Sequence, residues 1–120
     1  MTQEKLNEIL QKHQKWLNGE EGGERADLRG TDLRGTDFEG ADIDYACWPI
    51  WCGSLRVHIC DRIAKQLLYH VVSTIRCSKH VSVRMKQVVL TRDIIDLANE
   101  FHQAEKNGKI EYWSKEDAVI

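Results

Sequence analysis

The sequence predicts an α+β fold in which an N-terminal helix, a short square coil of five-residue repeats and a C-terminal antiparallel helical hairpin follow one another. Two observations predict it. Apolar residues recur at helical spacing near both ends of the chain, and between them a large apolar residue stands at every fifth position. The length of 120 residues suits a single domain. We divide it into a helix (1–19), repeats (24–53), a strand with the hairpin (54–110) and a tail (111–120).

The first helix is predicted from its cap, its apolar face and its stop signal. Thr2 can cap the start, and Asn18-Gly19 ends the helix because glycine readily takes the left-handed conformation. The predicted inward face recurs at i, i+3 and i+4 and comprises Leu6, Ile9, Leu10, His13 and Leu17.

The middle of the chain repeats every five residues, beginning Ala-Asp-Leu-Arg-Gly and Thr-Asp-Leu-Arg-Gly. A period of five fits neither a helix of 3.6 residues per turn nor a strand of period two. It suits a square coil in which each pentapeptide forms one side and the large residue fills the axis. The predicted repeat core is Leu28, Leu33, Phe38, Ile43 and Trp48.

These repeats resemble the pentapeptide-repeat family, whose consensus is Ala-Asp/Asn-Leu-any-any. The resemblance implies a right-handed quadrilateral β-helix with four repeats per coil, so five repeats give about one coil. The last two depart from the pattern at Tyr45 and Pro49. The lead-in Trp-Leu-Asn-Gly, the repeats, the Trp-Pro-Ile-Trp turn and the helical tail together resemble small pentapeptide-repeat proteins carried by bacteriophages and prophages.

The second half of the chain predicts one strand and two helices. Residues 54–59 alternate apolar and polar side chains, as a strand does, and Asp61 is a suitable N-cap for a helix that reaches about Arg76. A second helix is predicted over 82–106, with a break near Thr91 as the alternative. A short loop between two amphipathic helices predicts an antiparallel hairpin. Residues after Trp113 resemble a loose tail.

Composition narrows the classes of function. A net charge of −2 argues against direct binding of duplex DNA by bulk positive charge. No apolar run approaches the roughly 20 residues that span a bilayer, and the charged N-terminus lacks a signal-peptide core. The expected location is the cytosol of a host bacterium, where the four cysteines are expected to be free thiols.

Catalytic motifs are missing from the sequence, so we expect a non-enzymatic protein without a cofactor. It has no Gly-rich phosphate loop, no nucleophile elbow and no His-Glu-any-any-His. The repeat aspartates are expected to bond local backbone at corners. A metal site is not predicted, because the nearest donor set does not have zinc-finger spacing. That set is Cys47, Cys52, His58 and Cys60.

Two groups of residues are candidates for binding. Arg29 and Arg34 occupy the same place in successive repeats and are expected to share an outward face, either as an anion clamp or as solvated charge. The aromatic residues Tyr45, Trp48 and Trp51 either cap the coil or form an exposed surface. That surface would bind a protein, or stack a base while Arg56 or Arg34 contacts phosphate.

The leading hypothesis is a phage-type protein that inhibits a host bacterial defence protein, for example a CRISPR nuclease, by direct contact. One alternative is an oligomeric sponge that sequesters an immune signalling nucleotide. A second, implied by longer members of the family, is a DNA mimic that binds a topoisomerase. A homo-oligomer, most simply a dimer, is also predicted, because a single coil leaves an open end and an uncovered helix face.

Overall fold

The computed structural model describes residues 1–119, in which all regular elements are helical. The chain forms two compact units, Met1–Cys60 and Asp61–Ile120. The first contains helix α1 and a short 3₁₀ turn at Cys52–Ser54, and the second contains four further helices and a 3₁₀ turn at Lys115–Val119. The helices are α1 (Gln3–Leu17), α2 (Asp61–Cys77), α3 (Val83–Val89), α4 (Arg92–Ala98) and α5 (Ala104–Asn107).

Helix α1 begins and ends at the capping residues that the sequence predicts. The Thr2 hydroxyl accepts a hydrogen bond from the Lys5 amide at 3.1 Å, which satisfies one of the free N–H groups at the helix start. Asn18 is the C-cap, and Gly19 follows with a φ of +70°, in the left-handed region. The predicted N-terminal helix is therefore present over Gln3–Leu17.

The repeat segment consists of tight turns and not of strands, so the predicted quadrilateral β-helix and the α+β class are wrong. Each of four successive repeats contains a turn closed by a backbone hydrogen bond, as from Thr31 N–H to the Leu28 carbonyl at 3.1 Å. Such a turn uses four of every five residues, which leaves too few for a strand. Among residues 1–119 only two isolated parallel bridges form, Asp27 with Cys47 and Asp37 with His58.

The large residues of the repeats lie in the interior of the first unit. The side chains of Leu28, Leu33, Phe38 and Ile43 are buried. Trp48 is half-buried, and its ring packs against Phe38 with the centroids 5.3 Å apart. The five-residue period thus positions a small core although no sheet is formed.

The strand predicted at 54–59 and the predicted helical hairpin are also corrected. Arg56 has a φ of +57°, which interrupts an extended strand, and the Cys52–Ser54 turn occupies its start. The helix expected over 82–106 is divided into α3, α4 and α5. The predicted alternative of a break near Thr91 is confirmed: Thr91 caps α4 by accepting the Ile94 amide at 3.3 Å, and two residues, Leu90 and Thr91, separate α4 from α3.

The second unit packs its helices around a core of its own. Tyr69, Val72 and Ile75 of α2 meet Ile95 and Ala98 of α4 in one buried cluster. The predicted loose tail contains the Lys115–Val119 turn, and its last residue, Ile120, lies outside the described residues. Within residues 1–119, no helix combines the length and the apolarity that crossing a bilayer requires.

Candidate functional site

Each repeat aspartate bonds the backbone of its own repeat. The Asp27 carboxylate accepts the amide of Arg29 at 3.2 Å, and Asp32 accepts that of Arg34 at 3.1 Å. Asp37 does the same for Glu39 at 2.8 Å. These bonds close a side-chain turn two residues long, so the aspartates have the local structural role expected of them.

Arg29 and Arg34 are each occupied by an aspartate of the same repeat. Arg29 donates from Nε and Nη2 to the two carboxylate oxygens of Asp27, at 2.8 and 2.6 Å. Arg34 donates to Asp32 in the same manner, at 2.9 and 2.5 Å. A bidentate hydrogen bond of this kind uses the same pair of N–H groups with which a guanidinium would bind a phosphate. The two arginines therefore form two separate ion pairs and do not converge on a common anion.

The same ion pairs shift the acidity of the carboxylates. The hydrogen bonds from the Arg29 side chain lower the pKa of Asp27 from its ordinary 3.8 to about 2. Those from the Arg34 side chain lower the pKa of Asp32 to about 2. In turn, the bond to Asp27 raises the pKa of Arg29. All four groups are charged at neutral pH, and their charges cancel in pairs.

Tyr45 stands in an unusual backbone conformation. It occupies the fifth place of its repeat, where glycine stands in the earlier repeats, and with a φ of +64° it shares the left-handed backbone of Gly35 and Gly40. Its side chain is 55% exposed, and its ring meets Trp16 edge-on with the centroids 6.4 Å apart. Its carbonyl accepts a hydrogen bond from Arg25 Nε at 2.7 Å. The backbone thus directs a tyrosine ring outward at a fixed place.

The remaining aromatic candidates separate into one packed and one exposed residue. Trp48 packs against Phe38, as described above, whereas Trp51 is 46% exposed. The Trp51 ring lies over Gly53, where a Cβ would overlap it. The aromatic residues thus do not act as one group, because Trp48 packs in the interior and Trp51 lies on the surface.

Two aliphatic residues beside Trp51 were not among the predicted site residues. Ile50 is 91% exposed and Leu55 is 57% exposed. We name residues 45–55 the apolar segment, and its exposed large members are Tyr45, Ile50, Trp51 and Leu55. Arg56 follows it, exposed, and its carbonyl accepts the Gly35 amide at 2.9 Å. Ile50 breaks the repeat pattern in the sequence, and this was the signal that could have identified it.

The cysteines and histidines of this unit do not converge on one point. Within the described residues, no three His, Cys, Asp or Glu side chains are placed to hold a metal ion. Cys47, Cys52, Cys60 and Cys77 form no disulfide within residues 1–119. His13 is fully buried and holds α1 against the repeats, since its Nδ1 accepts the Ala26 amide at 3.0 Å.

Comparison with known proteins identifies the repeats and nothing further. The model of the family described as pentapeptide repeats matches residues 24–47, about a fifth of the chain. No curated protein and no solved structure matches the chain. The match covers the segment in which aspartate-closed turns and buried apolar residues recur every five positions. Residues 24–47 are therefore a segment of pentapeptide repeats.

Proposed function

We propose that the protein is a non-enzymatic binding protein that acts by protein–protein contact through the apolar segment. The observation that carries this proposal is the exposure of Ile50, Trp51 and Leu55, at 91%, 46% and 57%, within six residues of one another. Exposed groups of large aliphatic and aromatic side chains are typical of protein interaction sites. Tyr45, which is also exposed, begins the same segment.

The segment is held in place by short-range bonds, which favours binding with little loss of entropy. The Trp51 carbonyl accepts the Ser54 amide at 3.0 Å and the Ser54 hydroxyl at 3.0 Å. The Leu55 amide donates to the Cys52 carbonyl at 3.2 Å. A binding loop fixed in this way does not have to be ordered when its partner arrives.

For the target, we propose a host bacterial defence protein such as a CRISPR nuclease, which the protein would inhibit inside the bacterial cell. This choice is supported by the resemblance of the chain's pattern to small phage-borne pentapeptide-repeat proteins. The sequence also lacks catalytic motifs, which favours inhibition by occupation of a surface over inhibition by chemistry.

The geometry favours neither of the other two hypotheses as a second candidate. A nucleotide sponge built on Arg29 and Arg34 would have to break two-point bonds to Asp27 and Asp32. A DNA mimic needs a row of uncompensated carboxylates, and the same bonds cancel the charge of these two aspartates.

The proposal is tested by a plaque assay in bacteria that express the protein together with a CRISPR nuclease directed against a phage. Binding of the nuclease restores plaques, and the purified proteins co-elute. Ile50→Asp places a charge in the contact and abolishes both effects. The matched control is Val88→Asp, which adds the same charge at a valine of the second unit that is 68% exposed.

Two results would defeat the proposal. One is equal activity of Ile50→Asp, Val88→Asp and the unchanged protein, which would remove the apolar segment from the interaction. The other is failure to restore plaques against any of a panel of defence systems, which would remove the proposed class of target.

A further inference from the structure

Positive charge is concentrated in one stretch of the second unit. Residues 62–92 contain seven Lys or Arg and no Asp or Glu, although the whole chain has a net charge of −2. The cations in this stretch are Arg62, Lys65, Arg76, Lys79, Arg84, Lys86 and Arg92. The total charge therefore conceals a local excess, and it is local charge that attracts a polyanion.

Two of these cations are positioned by backbone carbonyls and not by carboxylates. Arg76 donates from Nε to the Glu111 carbonyl and from Nη2 to the Tyr112 carbonyl, both at 3.2 Å. Lys86 Nζ donates to the Ser78 carbonyl at 2.7 Å and to the Arg76 carbonyl at 3.4 Å. Carbonyls orient these groups but do not cancel their charge, so both remain attractive to an anion.

Two more exposed cations belong to the same stretch, and neither side chain has a partner within residues 1–119. Lys79 is exposed in the loop that follows α2, next to the Ser78 carbonyl that Lys86 binds. Arg84 is exposed on α3, and because it is two residues from Lys86 it extends the positive charge to another side of this helix. No residue of α3 is fully buried, and although Val89 packs against the core, most of this helix is exposed.

An exposed aromatic ring lies among the cations. Tyr112 is 45% exposed, and the Arg92 guanidinium stacks over its ring, 4.3 Å from the centroid. The backbone carbonyl of the same tyrosine accepts Arg76, so two arginines contact this residue, and only Arg92 stacks on its ring. Asp96 accepts the Tyr112 hydroxyl at 2.5 Å, so one carboxylate also lies at this ring. Cations that surround an aromatic platform are the combination that binds single-stranded nucleic acid.

We propose that this surface binds single-stranded nucleic acid, with phosphates on the cations and a base on the tyrosine ring. We name it the basic surface, and its members are Arg76, Lys79, Arg84, Lys86, Arg92 and Tyr112. The aromatic ring favours a single strand over a duplex, whose bases are stacked on one another, and over an acidic protein. The proposal does not rest on the apolar segment or on the proposed defence target.

The experiment measures fluorescence anisotropy of the whole protein with labelled oligonucleotides of about 12 bases, within the usual site size of such proteins. RNA and DNA of one sequence are compared, since either offers the same phosphates and bases. Binding to at least one is expected, and log Kd should rise with log salt by about 0.7 for each phosphate contact. A duplex of the same sequence should bind more weakly.

Charge reversal identifies the surface. The double variant Lys79→Glu with Arg84→Glu should weaken binding about tenfold or more and lower the salt slope by about 1.4, because two phosphate contacts are lost. The control is Lys15→Glu with Lys106→Glu, which changes the net charge equally at exposed lysines outside the basic surface. Tyr112→Leu keeps the backbone carbonyl and should weaken binding about fivefold or more.

Four results would overturn the proposal. These are no binding at about 50 mM salt, equal weakening by the two double variants, tighter binding of the duplex, and displacement of the oligonucleotide by polyglutamate as readily as by unlabelled RNA. The last would assign the surface to an acidic protein. Ile50→Asp should bind the oligonucleotide normally, so that failure here is distinguishable from failure of the proposed protein contact.

Discussion

At the scale of the residue, Tyr45 is the clearest conflict between local preference and the repeat. Gly35 and Gly40 hold the fifth place of their repeats with φ of +79° and +76°, and Tyr45 holds the next one at +64°. A residue with a Cβ in this conformation costs roughly 1 kcal/mol or more. Because the ring is exposed, little burial compensates for that cost, which favours a role in binding.

Replacing Tyr45 by glycine should therefore stabilise the protein while it weakens partner binding. The expected gain is about 0.5–1 kcal/mol in the free energy of unfolding, because strain is relieved and only an edge contact with Trp16 is lost. Urea denaturation followed by circular dichroism measures it. Gly40→Ala is the control with the opposite expected effect and should destabilise the protein by about 1 kcal/mol, since its φ of +76° strains any residue that has a Cβ. A lower free energy of unfolding for Tyr45→Gly than for the unchanged protein would show that the Tyr45 backbone is not strained.

His13 is the second residue whose removal has a definite consequence. Its Nδ1 accepts the Ala26 amide at 3.0 Å and its Nε2 donates to the Asp44 carbonyl at 2.8 Å, which fixes a neutral tautomer. His13→Ala leaves a buried donor and a buried acceptor without partners and opens a cavity. The free energy of unfolding should fall by about 2–4 kcal/mol.

The same urea denaturation measures the effect of His13→Ala. The exposed His80 provides the control, and His80→Ala should change the free energy by less than about 0.5 kcal/mol. If His13→Ala lowered the free energy of unfolding by as little as His80→Ala, the packing of α1 against the repeats would not depend on the His13 side chain.

At the scale of the element, the ion pair within a repeat predicts how the repeat responds to acid. The pKa of Asp27 is lowered to about 2, so the ion pair contributes stability above the ordinary pKa of 3.8, and this contribution is lost as the pH falls through about 2. Arg29→Gln removes the charged donor. The midpoint of the Asp27 titration, followed by carbon NMR, should then move up towards 3.8. That of Asp32 should stay near 2, because its partner Arg34 is unchanged. An unchanged Asp27 midpoint would contradict this origin of the shift.

Elements with local signals could be predicted from the sequence, whereas those that depend on the tertiary fold could not. Thr2 and Asn18-Gly19 bound α1 through bonds within one turn of the helix. The break between α3 and α4 was one of the predicted alternatives, because the Thr91 cap is also a local signal, although the periodicity of the apolar residues continues across it. The predicted strand failed at Arg56, whose left-handed backbone no side-chain pattern reveals.

The predictions for the candidate site also succeeded where a local sequence signal existed and failed elsewhere. The exposure of Tyr45 and Trp51 was one of the predicted alternatives, because both interrupt the repeat. The pairing of Arg29 with Asp27 was not predicted, since equal places in successive repeats suggested contact between repeats and not within one. The basic surface was not predicted, because the net charge of the whole chain adds the acidic repeats to the cations of the second unit.

At the scale of the whole molecule, the two units differ in charge. Met1–Cys60 contains 7 Lys or Arg and 11 Asp or Glu, whereas Asp61–Ile120 contains 10 and 8. Their charges are therefore −4 and +2, which together give the net charge of −2. The near-neutral total is thus the sum of an acidic half and a basic half, and each half can select a different partner.

Self-association remains a prediction at this scale. Both units expose large apolar residues, among them Ile50 at 91% and Val71 at 52%, which favours contact with a second copy. Light scattering of the purified protein should give about twice the chain mass of 13.9 kDa. A mass of one chain at micromolar concentration would exclude the dimer, and a dimer lost in Ile50→Asp would place the apolar segment in its interface.

The imidazole of His13 also makes one amide a reporter of motion. The Ala26 N–H donates to this side chain, so its hydrogen can exchange with deuterium only when α1 separates from the first repeat or the ring turns away. Leu28, two residues later, donates instead to the Cys47 carbonyl. The ratio of the two exchange rates therefore tells whether the helix lifts from an intact repeat segment or whether both open together.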